Sequence, residues 1–163
     1  CQSYHFRLQQ IQFYKRNRED GMILKIKSLS GKYPDYATEG ASGMDICAFT
    51  EEPIVLNPME RKLIPTGLFL EIPSGYEGQL RARSGLAIKH GIGLVNGIGT
   101  IDSDYRGELK VAMINFGSEA FTINDGDRIA QLVIAEYIKA EILASDELSD
   151  TERGEGGFGH TVV

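Results

Sequence analysis

The run Leu109-Lys110-Val111-Ala112-Met113-Ile114-Asn115-Phe116 decides the fold class. Its first half sets Leu109 and Val111 against Lys110 and Ala112, the period of a strand that buries one face. From Met113 onward the alternation is lost, as expected where a strand is covered on both faces. Outward from this run, short apolar stretches of similar character recur at 54–56, 62–64, 68–72, 79–83, 94–96, 121–123 and 129–137. Turn residues separate them: Pro53, Asn57-Pro58, Pro65, Pro73-Ser74-Gly75, Gly117-Ser118 and Asn124-Asp125-Gly126. One short helix is expected over 86–90, with Ser84 near its start and Gly91 as its stop. Many short, evenly spaced strands point to an all-β jelly-roll or barrel.

The chain has 163 residues, enough for one core and not for two. It is 42% hydrophobic and 25% charged, with no apolar run of membrane-spanning length. A net charge of −6 argues against a broad nucleic-acid surface. Cys1 and Cys47 form no spacing pattern, so a reducing cytoplasm is the expected setting. No cysteine–histidine cluster suggests zinc; a metal here would be a hard ion on oxygen ligands, magnesium foremost.

Three regions follow from texture. Residues 1–21 lack either period and start with Cys1, whereas Met22 opens the alternation Leu24-Lys25-Ile26-Lys27. They read as a leader, an upstream translation or an expression remnant, expected to be disordered, with a basic transit piece as the competing reading. Residues 22–148 carry the β signals. Residues 149–163 are a glycine-rich arm, expected to be flexible when nothing is bound.

Five segments carry possible chemistry. Gly91-Ile92-Gly93-Leu94-Val95-Asn96-Gly97-Ile98 leads into Gly99-Thr100-Ile101-Asp102-Ser103-Asp104-Tyr105-Arg106-Gly107. Glycines there let backbone approach a ligand, so a tight hairpin presenting N–H and C=O groups suits a flat heterocycle, with Asp102 beside it. An Asp-x-Asp pair alone more often caps a turn. Gly40-Ala41-Ser42-Gly43-Met44-Asp45-Ile46 is either a capped turn or a carboxylate facing metal-bound water. Arg81-Ala82-Arg83-Ser84-Gly85-Leu86-Ala87 runs from strand into helix, a seat for phosphate or an ordinary cap. Gln131 in Gly126-Asp127-Arg128-Ile129-Ala130-Gln131-Leu132 lies in an apolar run, where a buried amide needs a partner: a subunit contact or a phosphate. In the arm, four glycines in 154–159 surround Phe158 and follow Arg153, a backbone able to wrap phosphates.

In this order and spacing the five segments resemble the motifs of the trimeric deoxyuridine triphosphate nucleotidohydrolase (dUTPase) family, from about Leu24 to Thr161. The resemblance implies a β jelly-roll homotrimer with inter-subunit active sites that cleaves dUTP to dUMP and pyrophosphate with Mg2+. It implies Asp102 as the general base and Tyr105 as the ring under the deoxyribose. It implies a uracil-reading hairpin at Asn96, Thr100 and Ile101, and phosphate contacts from Arg83, Ser84, Gly85 and Gln131. Asp45 would reach the metal through water. Arg153, Gly157, Phe158 and Gly159 would close over a neighbouring subunit's site. His160 and Val162 depart from the family's usual serine and glycine, which touches only the end of the arm. The implied role is to limit uracil in DNA and to supply dUMP for thymidylate synthesis. Alternatives are a dCTP deaminase of the same fold, expected to carry glutamate where Asp102 stands, and a non-catalytic nucleotide-binding trimer.

Overall fold

Alternating side chains place ten strands and one helix along residues 21–157, the part that the computed structural model describes. Residues 1–20 and Phe158, Gly159, His160, Thr161, Val162 and Val163 lie outside it, and with them most of the leader reading and the end of the arm. The strands are β1 (Lys25–Ser28), β2 (Met44–Cys47), β3 (Ile54–Leu56), β4 (Arg61–Glu71) and β5 (Tyr76–Arg81). After helix α1 (Ser84–His90) come β6 (Ile92–Leu94), β7 (Gly99–Ile101), β8 (Glu108–Asn115), β9 (Phe121–Ile123) and β10 (Arg128–Glu136). They pair antiparallel into sheets ordered β1-β4-β8-β6 and β2-β10-β5-β7, with β3 and β9 as a third, two-stranded sheet. This is the expected jelly-roll type of all-β fold with a single short helix.

All three sheets feed one core. Ile64, Leu109, Val111 and Met113 enter from the first, Ile46, Leu80, Ile129 and Leu132 from the second, Leu56 and Ile123 from the third. None is more than 2% exposed, so each contributes about 1.5–3 kcal/mol of burial. The two-sided cover expected for the end of β8 is found: Met113, Ile114 and Asn115 are all buried. Asn115, fully buried, was not singled out by pattern. Its Nδ2 donates to the carbonyls of Leu56 (2.9 Å) and Glu119 (2.7 Å), and its Oδ1 accepts the Gly117 N–H (2.8 Å). It is therefore a satisfied buried amide, tying β3 and the 117–119 connection to β8.

Two expectations are corrected and a third is met. Pro65 does not end a strand: 62–64 and 68–72 fall almost entirely within the single strand β4, with a register shift between Pro65 and Leu68. The irregularity takes up the proline, while Thr66 Oγ1 and Glu108 Oε1 accept the N–H groups of Leu68 and Gly67. Ser84 does not cap the helix. It is the first helical residue, and Arg83 occupies the cap position without a side-chain cap bond. Gly91 does stop the helix, at φ 68°, donating to Ala87 O. A Cβ there would also lie 2.6 Å from Gly117 N, so the position requires glycine for packing as well as for its dihedral.

Candidate active site

Strands β6 and β7 are joined by only the turn at 95–98, yet they do not pair. β6 is the edge of one sheet, held by β8, and β7 the edge of the other, held by β5. The tight hairpin of the sequence reading is thus a splayed one. Its strands diverge from one turn, and one side of each keeps backbone N–H and C=O groups that the sheets do not use. Gly97 at φ 71° makes the turn, donating to Leu94 O at 3.1 Å. Gly99 is buried at its foot, where a Cβ would sit 3.1 Å from Leu80 Cβ and 3.4 Å from Asn96 Nδ2. Residue 99 therefore has little room for a side chain, and the Asn96 amide folds back toward it.

Asp102 directly follows β7 and is exposed, so it does not enter the core. Thr100 is exposed and Ile101 half-buried beside it. Beyond Asp102 the chain makes a turn closed by Tyr105 N–H donating to Asp102 O at 3.1 Å. The Tyr105 hydroxyl donates to Glu108 O at 3.0 Å, folding the ring back over Gly107. A Cβ at residue 107 would lie 2.3 Å from that hydroxyl, which explains glycine there.

A second group of motif residues meets on the outer side of the other sheet. Gln131 on β10 lies opposite Asp45 on β2 and Arg81 on β5. Asp45 Oδ2 accepts from Arg128 Nη1 at 3.2 Å and Asp45 Oδ1 stands 3.4 Å from Arg83 Nε. Arg83 Nη1 in turn donates to Arg128 O at 3.1 Å. One carboxylate against two guanidiniums leaves local positive charge in an acidic protein. Ser84 and Gly85 open α1 next to this cluster and are exposed. Gln131 is half-buried rather than buried. A register shift between Arg128 and Ala130 turns both Ile129 and Ala130 inward, which brings Gln131 to the outer face with Asp45. Arg128 was missed as a partner because 83 residues separate it from Asp45. Burial holds the thiol of Cys47, two residues on from Asp45, above its ordinary range, and the Asp45 charge adds to the effect.

The two groups are apart in one chain. Ile101 pairs with Gly78 and Gln131 with Arg81, so Asp102 lies toward the opposite end of β5 from Arg83. Four strand residues or more intervene, a separation of about 13 Å or greater. The third element is the arm, whose described side-chain hydrogen bonds stay within the arm itself. Ile138 is 95% and Ile142 93% exposed, and Arg153 Nε donates to its own turn at Gly156 O, 2.7 Å. Gly157 is half-buried.

Among the described residues no group of three or more His, Cys, Asp or Glu is placed to hold a metal. Asp45 Oδ1 is nevertheless buried without a hydrogen bond. A buried carboxylate oxygen held only by its ion pair with Arg83 fits an ion that arrives on phosphates and keeps its waters, as magnesium does.

Comparison with known proteins decides the family. The dUTPase sequence profile matches residues 30–162. The chain belongs to the dUTPase family. It is 61% identical over 130 residues to the deoxyuridine 5'-triphosphate nucleotidohydrolase of Treponema denticola, covering 80% of this chain and 90% of that one. The enzyme of the same name from Finegoldia magna is 52% identical over 136 residues, covering 83% and 95%. Among solved structures, a variant of the Staphylococcus bacteriophage 80alpha dUTPase with dUpNHpp superposes with a TM-score of 0.78 at 29% identity, covering 86% of this chain and 99% of that one. A mutant dUTPase from phage phi11 of S. aureus, described with a coordinated structural Mg(II) ion, gives 0.68 at 27% identity, covering 77% and 97%. Within this dUTPase chain no helix among the described residues is long and apolar enough to cross a membrane.

Proposed function

We propose that this chain hydrolyses dUTP to dUMP and pyrophosphate, limiting uracil incorporation into DNA and supplying dUMP for thymidylate synthesis. The observation that carries the reading is the splayed β6–β7 hairpin, with Gly99 buried at its foot and Asp102 exposed directly after it. Fixed backbone donors and acceptors read the uracil edge at Asn96, Thr100 and Ile101, and cytosine reverses that pattern at one position. Unpaired buried polar groups against the wrong base make discrimination of ~10⁴ reachable. Tyr105 packs beneath the deoxyribose, held from below by its bond to Glu108 O. Asp102 takes the proton of the water that attacks the α-phosphorus in line, and pyrophosphate leaves.

The phosphates are held by residues that one chain cannot bring to Asp102. Arg83, Ser84, Gly85 and Gln131 lie about 13 Å or more away along the sheet, beyond the hydrogen-bond reach a general base needs. A second copy of the chain supplies them, and the arm of a third closes the site with Arg153 on the phosphates and Gly157, Phe158 and Gly159 around the base. That assembly is a homotrimer with three shared sites. Mg2+ bound with the triphosphate would neutralise its charge, and Asp45 would hold it through a water. Arg83 and Arg153 supply the remaining aimed positive charge.

The direct test is release of pyrophosphate and dUMP from dUTP with magnesium, against a chelator control. Release of ammonia from dCTP would instead indicate a deaminase, and binding without turnover a nucleotide-sensing trimer. The sugar-gating role has its own test. Tyr105→Ala raises activity on UTP relative to dUTP by about 10-fold or more, since a 2′-hydroxyl then has room. An unchanged ratio removes that role from Tyr105.

A further inference from the structure

We propose that Arg106 is a positioning residue for the reaction, clamping the turn that aims both Asp102 and Tyr105; this rests on the dUTP-hydrolase reading. The connection from Asp102 to β8 crosses from one sheet to the other and has a single internal backbone hydrogen bond, Tyr105 N–H to Asp102 O. Two of its other carbonyls are gathered by one nitrogen. Arg106 Nη1 donates to Ser103 O at 2.7 Å and to Tyr105 O at 3.0 Å. That nitrogen carries two hydrogens in the plane of the guanidinium, so each carbonyl receives one and both are drawn toward a common point.

The consequence reaches the site from both ends of the turn. Tyr105 is held at its carbonyl by Arg106, at its N–H by Asp102 and at its hydroxyl by Glu108 O. Asp102 is the first residue of the same turn, so its carboxylate direction depends on the turn keeping its shape. Arg106 itself faces away from the core. It is exposed and shares a surface groove with Lys25, Lys27, Phe69 and Glu71, where its charge helps to hold the Glu71 carboxyl below its ordinary range after the direct Lys25 bond. Its loss therefore removes the clamp without opening a cavity.

Arg106→Met keeps the aliphatic stem and deletes the donors. Misplacement of a catalytic group by about 1 Å costs on the order of 10²-fold, so Arg106→Met is expected to lower kcat on dUTP by roughly 10–100-fold with little change in KM. The UTP-to-dUTP activity ratio should rise in the same variant, because Tyr105 loosens together with Asp102. Arg106→Lys restores part of both, since an ammonium still donates but lacks the planar fork. The melting temperature and circular dichroism of both variants stay at wild type. Wild-type kcat and ratio in Arg106→Met overturn the clamp. So does a loss of activity that tracks a fall in melting temperature while the ratio stays fixed. Pyrophosphate release by the unsubstituted chain is scored first, so failure of the parent reading shows there and not in the variants.

Discussion

Asp102→Asn leaves the affinity for dUpNHpp close to wild type and lowers kcat on dUTP by about 10²–10⁴-fold, the contribution of a positioned general base. The substitution changes one oxygen for an amide nitrogen of the same size. Asp102 is exposed at the end of β7 and lies outside the buried core cluster, so nothing in the fold depends on its charge. The asparagine still orients water but cannot accept its proton. Affinity and turnover measured on the same preparation separate the two effects, and turnover equal to wild type would remove Asp102 from the chemistry. The neighbouring Asp104 is a useful control. It lies in the same turn, is also exposed, and its replacement should leave kcat within a small factor of wild type.

Removing everything after Ser149 is the second large effect. The truncated chain folds as before, because every residue from 138 to 155 is exposed, Gly156 and Gly157 are half-buried, and among the described residues no fully buried core residue lies beyond Leu132. Catalysis falls by about 10²-fold, since the arm completes the charge around the phosphates and shields them from water. In the structure Arg153 is turned onto Gly156 O, a bond that must be exchanged for phosphate when the arm closes. Turnover by the truncated chain, with gel filtration to show that assembly is unchanged, tests the lid. Full activity would refute it.

What could be read from sequence follows a physical rule. Short strands bounded by strong turn residues were legible to the residue, as for β3 and β9, because local alternation and local punctuation act together. β4 was not, because Pro65 reads as a breaker and only pairing with β8 shows that a bulge absorbs it. The β6–β7 hairpin was visible through its glycines and Asp102. Its splay was not, since which sheet each strand joins is settled by β8 and β5, far from the turn itself. Gln131 looked buried until the β10 irregularity turned it outward. The Asp45–Arg128 pair and the Asn115 hydrogen bonds join residues that no sequence period connects.

The central claim is that base and phosphate ligands of one site come from different copies of the chain. Its most direct measurement mixes two variants, Asp102→Asn and Arg83→Ala, each nearly inactive alone, by unfolding and refolding them together. Random assembly rebuilds an intact site wherever a wild-type slot meets a wild-type phosphate cluster, so the mixture is predicted to recover about a quarter of wild-type turnover. A mixture no more active than its parents, with mixed trimers shown to be present, would contradict the account and place the whole site within a single chain.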